Sequence, residues 1–255
     1  MMVRLFQILN IIVLMLTIGI NYLSNTGSIN NETMASISGK YHNLFTPAGY
    51  AFSIWGPIYL GLLGFVIYYG PFTKNTEPKE KVVLNIGWWF IISCIANSLW
   101  IFTWLHEYTF ITIPIMVLLF VSLLKMILNN RDFIQSRDFK TTVFLRLPFY
   151  IYAGWVSVAL IADVAAYLTK IQWSGFGIPE TGWTILMFVV AALIHLYMIW
   201  KQNMSAFALV AVWALIAIAV ANRYSNQTVY ISAIVTALFV FANIIFKLSK
   251  KKAVL

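Results

Sequence analysis

Asp163 is a carboxylic acid inside the apolar run Pro148–Leu168, and the other seven acidic residues lie in or beside polar connections. In a bilayer such a group costs at least about 2.5–3.5 kcal/mol, so it must face other helices or a wet cavity. It ends a stripe at helical spacing of four, Trp155, Ala159 and Asp163. The run Val83–Trp104 carries a matching stripe of Asn97, Trp100 and Trp104, and Trp55 and Tyr59 stand near the start of Tyr50–Tyr69. Two chemistries are open to this set. Asn97 and Asp163 can hydrogen-bond to each other and hold helices together. Alternatively, a few polar groups orient a mostly apolar ligand between aromatic side chains, the usual make-up of a small-molecule site. Arg223, at the end of another apolar run, is expected to reach Asp163 and keep it ionised.

Catalytic constellations find less support. The histidines are His42, His106 and His195, and no HExxH, GxSxG, P-loop or GxGxxG pattern is present. His195 lies alone within an apolar run, where a hydrogen-bonded packing role is the expectation. The one cysteine, Cys94, excludes a disulfide framework and any multi-cysteine metal site. No catalytic residue and no metal site is therefore assigned, and the protein is read as a non-enzyme.

The elements that position these residues follow from composition. Apolar residues make up 61% of the 255-residue chain and charged residues 10%, against about 25% charged in a typical soluble domain. So few charges cannot cover a soluble surface of this size, whereas lipid can face Leu, Ile, Phe and Val directly. Eight runs are long enough to span: Leu5–Leu23, Tyr50–Tyr69, Val83–Trp104, Phe110–Leu128, Pro148–Leu168, Trp183–Trp200, Ala206–Ala221 and Val229–Phe246. The fold class is all-α, a polytopic transmembrane helix bundle. The first run is read as a retained helix, since it is long for a signal core and no small-residue cleavage site follows. Pro57 and Pro114 are expected to kink their helices.

With the N-terminus inside, only Lys40, Lys170 and Arg223 of the 17 basic residues fall on the outer side. This asymmetry places both termini in the cytoplasm of a multi-pass cell-membrane protein. The same distribution accounts for the net charge of +9, and no basic–aromatic groove for nucleic acid is present. Trp88, Trp89, Trp104, Trp173, Trp183 and Trp200 fall at span ends, as an interfacial aromatic belt requires. Asn25–Gly49 is the only long connection, and its length suits a lid.

The segment Pro47-Ala48-Gly49-Tyr50-Ala51-Phe52-Ser53-Ile54-Trp55-Gly56-Pro57-Ile58-Tyr59 resembles the start of the second helix in the TspO/MBR (translocator protein, tryptophan-rich sensory protein) family. Asn97-x-x-Trp100 is similar to that family's third-helix motif, and Trp155-Val156-x-x-Ala159-x-x-x-Asp163 to its fifth-helix motif. The chain departs from the pattern in a Phe-to-Trp spacing one residue shorter, in the distance from Pro148 to Trp155, and in Asp163 where the family has Asn. The resemblance covers residues 1–170 and implies a five-helix transmembrane domain there. Residues 171–255 add three spans and a basic tail.

The resemblance further implies a sensor or carrier for a hydrophobic ligand, tetrapyrrole- or sterol-like, in a pocket covered by the first loop. By analogy the contacts are Trp55, Tyr59, Asn97, Trp100, Trp155 and Asp163. No cofactor is assigned beyond a tetrapyrrole as one ligand option. The expected partners are the lipid bilayer and the small ligand, with a homodimer left open and nucleic acid excluded. Two other functions stay open: a proton-coupled secondary transporter using Asp163, and a porphyrin-modifying enzyme.

Overall fold

A computed structural model describes residues 1–136 and 138–252. In chain order the helices are α1 (Met2–Leu23), α2 (Met34–Lys40), α3 (Trp55–Tyr68), α4 (Glu77–Ile86), α5 (Trp88–Leu105) and α6 (Thr109–Asn129). They continue as α7 (Arg131–Gln135), α8 (Phe139–Thr141), α9 (Leu147–Lys170), α10 (Glu180–Trp200), α11 (Ser205–Asn222) and α12 (Gln227–Lys252). A 3-10 turn, Gly49–Ile54, leads into α3, and a wide turn, Thr142–Arg146, joins α8 to α9. Among the described residues eight helices are long and apolar enough to cross a membrane, and the only strand-like pairing is an isolated bridge, Ile29 to Glu32. The protein is a multi-pass membrane helix bundle. Leu60, Phe110, Leu193 and Leu238 are exposed on its helices, as lipid contact allows.

Two local expectations are corrected. The third span does not start at Val83: α4 ends at Ile86, and Gly87, at φ +48° and ψ −131°, breaks the chain before α5. That conformation strains any residue with a side chain, and a Cβ there would stand 3.1 Å from the Leu84 carbonyl oxygen. Pro57 does not kink a helix interior either. It lies in the first turn of α3, where the backbone N–H it lacks has no intrahelical partner to lose. Pro114 does lie inside its helix, α6.

The chain divides into two compact units, and the division follows compactness rather than the count of spans. The first holds Met1–Ile37 and Ser53–Val156; the second holds Ser38–Phe52 and the chain from Ser157 onward. Within the first, α1 packs on α3, α4 and α5, and α5 packs on α6. Gly61 and Gly64 let α3 approach the start of α9 closely, since a Cβ at Gly61 would come within 3.1 Å of Pro148 and one at Gly64 within 3.2 Å of Phe144. Phe65, Phe90 and Phe149 form an aromatic core there, Phe65 lying 5.5 Å from Phe90 and 5.1 Å from Phe149.

The buried face of α1 is polar. Gln7, Asn10, Leu14, Thr17 and Asn21, spaced alternately by three and four, turn inward, while Ile8, Ile12, Met15 and Leu16 stay exposed. This is the seam geometry of packed helices, built with hydrogen-bonding groups. Gln7 Nε2 donates to the Tyr69 carbonyl at 2.8 Å and to Asn75 at 2.9 Å, and Thr17 Oγ1 lies 3.2 Å from the Cys94 carbonyl.

In the second unit α10, α11 and α12 pack on one another, with Ala208, Ala211, Ala214 and Ala217 of α11 buried. Residues 38–52 are tied to these helices. The Ala48 N–H donates to the Ala217 carbonyl at 3.0 Å, Asn222 Nδ2 to the Leu44 carbonyl at 3.0 Å, and the Trp213 indole to the Ala51 carbonyl at 3.3 Å. Phe45 is buried against Phe188 with ring centroids 5.7 Å apart.

Candidate functional site

Of the six residues the sequence singled out, the first unit gathers Trp55, Tyr59, Asn97 and Trp155 into one cluster and adds Tyr152. The 3-10 lead-in ends at Ile54, which puts Trp55 at the first position of α3 and Tyr59 one turn later on the same face. Their rings stack at 5.5 Å and 18°. Two rings from α9 meet Trp55 edge-on, Tyr152 at 5.7 Å and Trp155 at 6.4 Å. Offset and edge-to-face pairs of this kind are worth about 0.5–1.5 kcal/mol each beyond the area they bury.

Asn97, on α5, is fully buried and joins three helices. Its Nδ2 donates to the Tyr152 hydroxyl at 2.6 Å, and its Oδ1 accepts from the Tyr59 hydroxyl at 3.4 Å. The amide expected on Asp163 is thus held by two tyrosine hydroxyls. Trp100 stands one turn beyond Asn97 on α5 and stacks on Trp104 at 5.8 Å and 16°. The Trp104 indole donates to the Met34 carbonyl at 3.2 Å.

Two donors in this region stay unsatisfied. The indole nitrogens of Trp55 and Trp100 are buried and have no hydrogen-bond partner among the described residues, although the two side chains are only 4% and 5% exposed. A buried polar group left without a partner costs about 1–3 kcal/mol, and an ordered water or a ligand is among the things that can offset it.

The first half of the long connection closes over the end of α5. Met34 and Ile37 are buried, and Asn30 Nδ2 donates to the Leu105 carbonyl at 2.7 Å. Thr33 and Ser36 cap α2 reciprocally: the Ser36 N–H donates to Thr33 Oγ1 at 3.0 Å and the Thr33 N–H to Ser36 Oγ at 2.8 Å. Asn30 and Asn31 take positive φ, which asparagine tolerates better than most residues. The connection is therefore an ordered structure built from polar turn residues and two apolar plugs.

Asp163 belongs to the second unit. It is buried, at 2% exposure, on the part of α9 beyond Val156. Arg223 does not reach it: Arg223 is exposed, and its guanidinium lies 5.3 Å from the Tyr224 ring. His195 is a packing residue, as its setting in the sequence suggested. Its Nδ1 faces the Ala191 carbonyl at 2.7 Å, Ser157 lies 3.4 Å from Nε2, and the Phe207 ring is 5.0 Å away. Among the described residues no three His, Cys, Asp or Glu side chains are grouped to hold a metal ion.

Tyr152 and the polar face of α1 add to the residues expected from the sequence. Tyr152 stands three residues before Trp155 and so shares its helix face, a spacing legible in the sequence. The α1 face was legible too, as polar residues at three-four spacing inside an apolar run.

The family model described as TSPO-like protein matches residues 7–246, which takes in all eight spans but for the ends of the first and last. No curated protein and no solved structure matches the chain. With nearly its full length covered by that model, the chain belongs to the TSPO-like protein family.

Proposed function

We propose that this membrane protein binds a hydrophobic, tetrapyrrole- or sterol-like ligand as a sensor or carrier, at the cluster of Trp55, Tyr59, Asn97, Trp100, Tyr152 and Trp155. The observation that carries the reading is the pair of buried indole N–H groups, on Trp55 and Trp100, with no acceptor among the described residues. An apolar body edged with carbonyl, carboxylate or hydroxyl oxygens suits them. It stacks on indole and phenol faces and accepts from the indole nitrogens. The Asn97 amide holds Tyr59 and Tyr152 in fixed orientations, so the wall is preorganised.

The buried α2 segment next to Trp104 acts as the lid. Ligand bound beneath it slows proteolytic cleavage within residues 25–37; unchanged cleavage at saturation removes the lid role. We read this as binding without chemical change, on the ring faces and hydrogen-bonding groups that the cluster supplies. The test of binding is titration of the purified protein with protoporphyrin, haem and cholesterol, followed by quenching of tryptophan emission. Saturable quenching weakened by Trp100→Leu supports the site, and equal quenching of wild type and variant removes it.

The protein resides in the cell membrane with both termini in the cytoplasm. The support is an even number of spans together with the concentration of basic residues in alternate connections. Single cysteines introduced at Asn31 and at Lys250 test this in intact cells. Only the first should react with an impermeant maleimide, and labelling of Lys250→Cys from outside inverts the assignment.

A further inference from the structure

The second unit contains a cavity of about 340 Å³ where α9 ends and α10 begins. Its size falls within the usual range for small-molecule sites. Val164, Leu168 and Met187 supply an apolar floor, and the indoles of Trp173 and Trp183 supply a wall. Those two rings are 5.1 Å apart and tilted by 55°, so they form a corner rather than a flat stack.

The corner is held in place by the backbone. Trp183 Nε1 donates to the Gly175 carbonyl at 2.8 Å, which occupies the indole's only polar group and leaves its faces for other contacts. Gly175 has φ +67°, and a Cβ there would press on the Trp183 ring at 3.1 Å. Gln172, Phe176 and Gly177 also take positive φ, an unusual density of left-handed residues for a connection of this length.

Glu180 stands at the same cavity. One carboxylate oxygen, Oε1, accepts from the Leu44 N–H at 2.7 Å, which fixes the side chain. Lys170, the last residue of α9, lies over the Tyr41 ring at 5.5 Å.

A carboxylate beside two angled indole faces and above an apolar floor is the chemistry that recognises an organic cation. We propose that this cavity binds an amphipathic organic cation, an alkylated ammonium group joined to an apolar body. The ammonium lies against Trp173, Trp183 and Glu180, and the apolar part lies on Leu168 and Met187. Such a ligand has two sources, a choline headgroup of a surrounding lipid or a free amine, because the cavity sits at helix ends where headgroups begin.

The test is calorimetric titration of the full chain in a maltoside detergent with phenyltrimethylammonium, alongside its uncharged isostere tert-butylbenzene. The expected result is saturable binding of the cation, at least about tenfold tighter than the isostere. Glu180→Gln, which keeps an oxygen for the Leu44 N–H, and Trp173→Leu should each weaken it by about tenfold. Trp55→Phe should leave it unchanged, so this site and the hydrophobic-ligand site succeed or fail separately. In nanodiscs, competition by phosphatidylcholine but not phosphatidylglycerol identifies the lipid headgroup as the occupant; equal binding in both identifies a free cation. Absence of saturable binding at millimolar concentration, equal affinity for the isostere, or full affinity in Glu180→Gln overturns the proposal.

Discussion

The side-chain amide of Asn97 donates to the hydroxyl of Tyr152 at 2.6 Å, so a residue of α5 is bonded directly to one of α9 inside the membrane. Removing that amide leaves two tyrosine hydroxyls buried without their partner. Asn97→Leu should therefore lower stability by about 1–3 kcal/mol. Tyr59→Phe should cost less, because the bond it loses is the longer one, at 3.4 Å. Thermal unfolding of the purified variants checks the order, and a fully stable Asn97→Leu protein contradicts the role given to this residue.

Gly70 lies just beyond the end of α3, where a Cβ would run into the Val66 carbonyl oxygen. No rotamer relieves a clash with backbone, so Gly70→Ala should destabilise by at least about 1–3 kcal/mol. Gly39→Ala is the control, since a Cβ there meets nothing within 4 Å. Comparable yield and melting temperature for both would show that the end of α3 is built differently.

Asp138 caps the start of the fifth span, accepting from the Thr141 N–H at 2.7 Å. That backbone bond, followed by the Thr141 side chain, holds its carboxyl below the ordinary aspartate range. A lowered folded-state pKa means that the cap's contribution is complete above the unfolded value. It is lost as pH falls through the lowered one. Asp138→Ala should melt below wild type at pH 7, with the gap closing on acidification to about pH 3. A gap that stays constant with pH would mean that the charge of Asp138 adds nothing.

Asp163 is tested by itself, as a buried group of the second unit. Asp163→Asn keeps hydrogen-bonding capacity and should melt near wild type, while Asp163→Leu should lose about 0.6–2 kcal/mol, the scale of hydrogen bonds within membranes. Weakened ligand binding in Asp163→Asn places Asp163 among the ligand contacts, and unchanged binding removes it. Uptake of a substrate that depends on pH and disappears in Asp163→Asn would make proton-coupled transport the function instead.

Much of this architecture is legible in the sequence because a bilayer enforces a simple rule, long apolar runs with internally satisfied backbones. All eight spans stand where hydropathy puts them, and helical spacing puts Trp55 and Tyr59 on one face of α3. Boundaries set by single residues were harder to see. Gly87 breaks a helix through its backbone angles, which apolar periodicity does not register. Partner choice was harder still. Asn97 and Asp163 match in polarity and expected depth, but which buried groups pair depends on how helices rotate about their axes. The corner of Trp173 and Trp183 escaped for the same reason: tryptophans at span ends all read as an interfacial belt, and only the Gly175 turn shows that these two form a wall.

The central claim is that a ligand supplies acceptors to the indole N–H groups of Trp55 and Trp100, and those protons can be watched directly. Protein labelled with 15N at the tryptophan indoles, with the two signals assigned through Trp55→Phe and Trp100→Phe, is titrated with protoporphyrin, haem and cholesterol in turn. The account predicts that at least one of these ligands moves both signals downfield in a saturable way, at the concentration that quenches tryptophan emission. A ligand that binds tightly while both indole signals stay at their unliganded positions would contradict it.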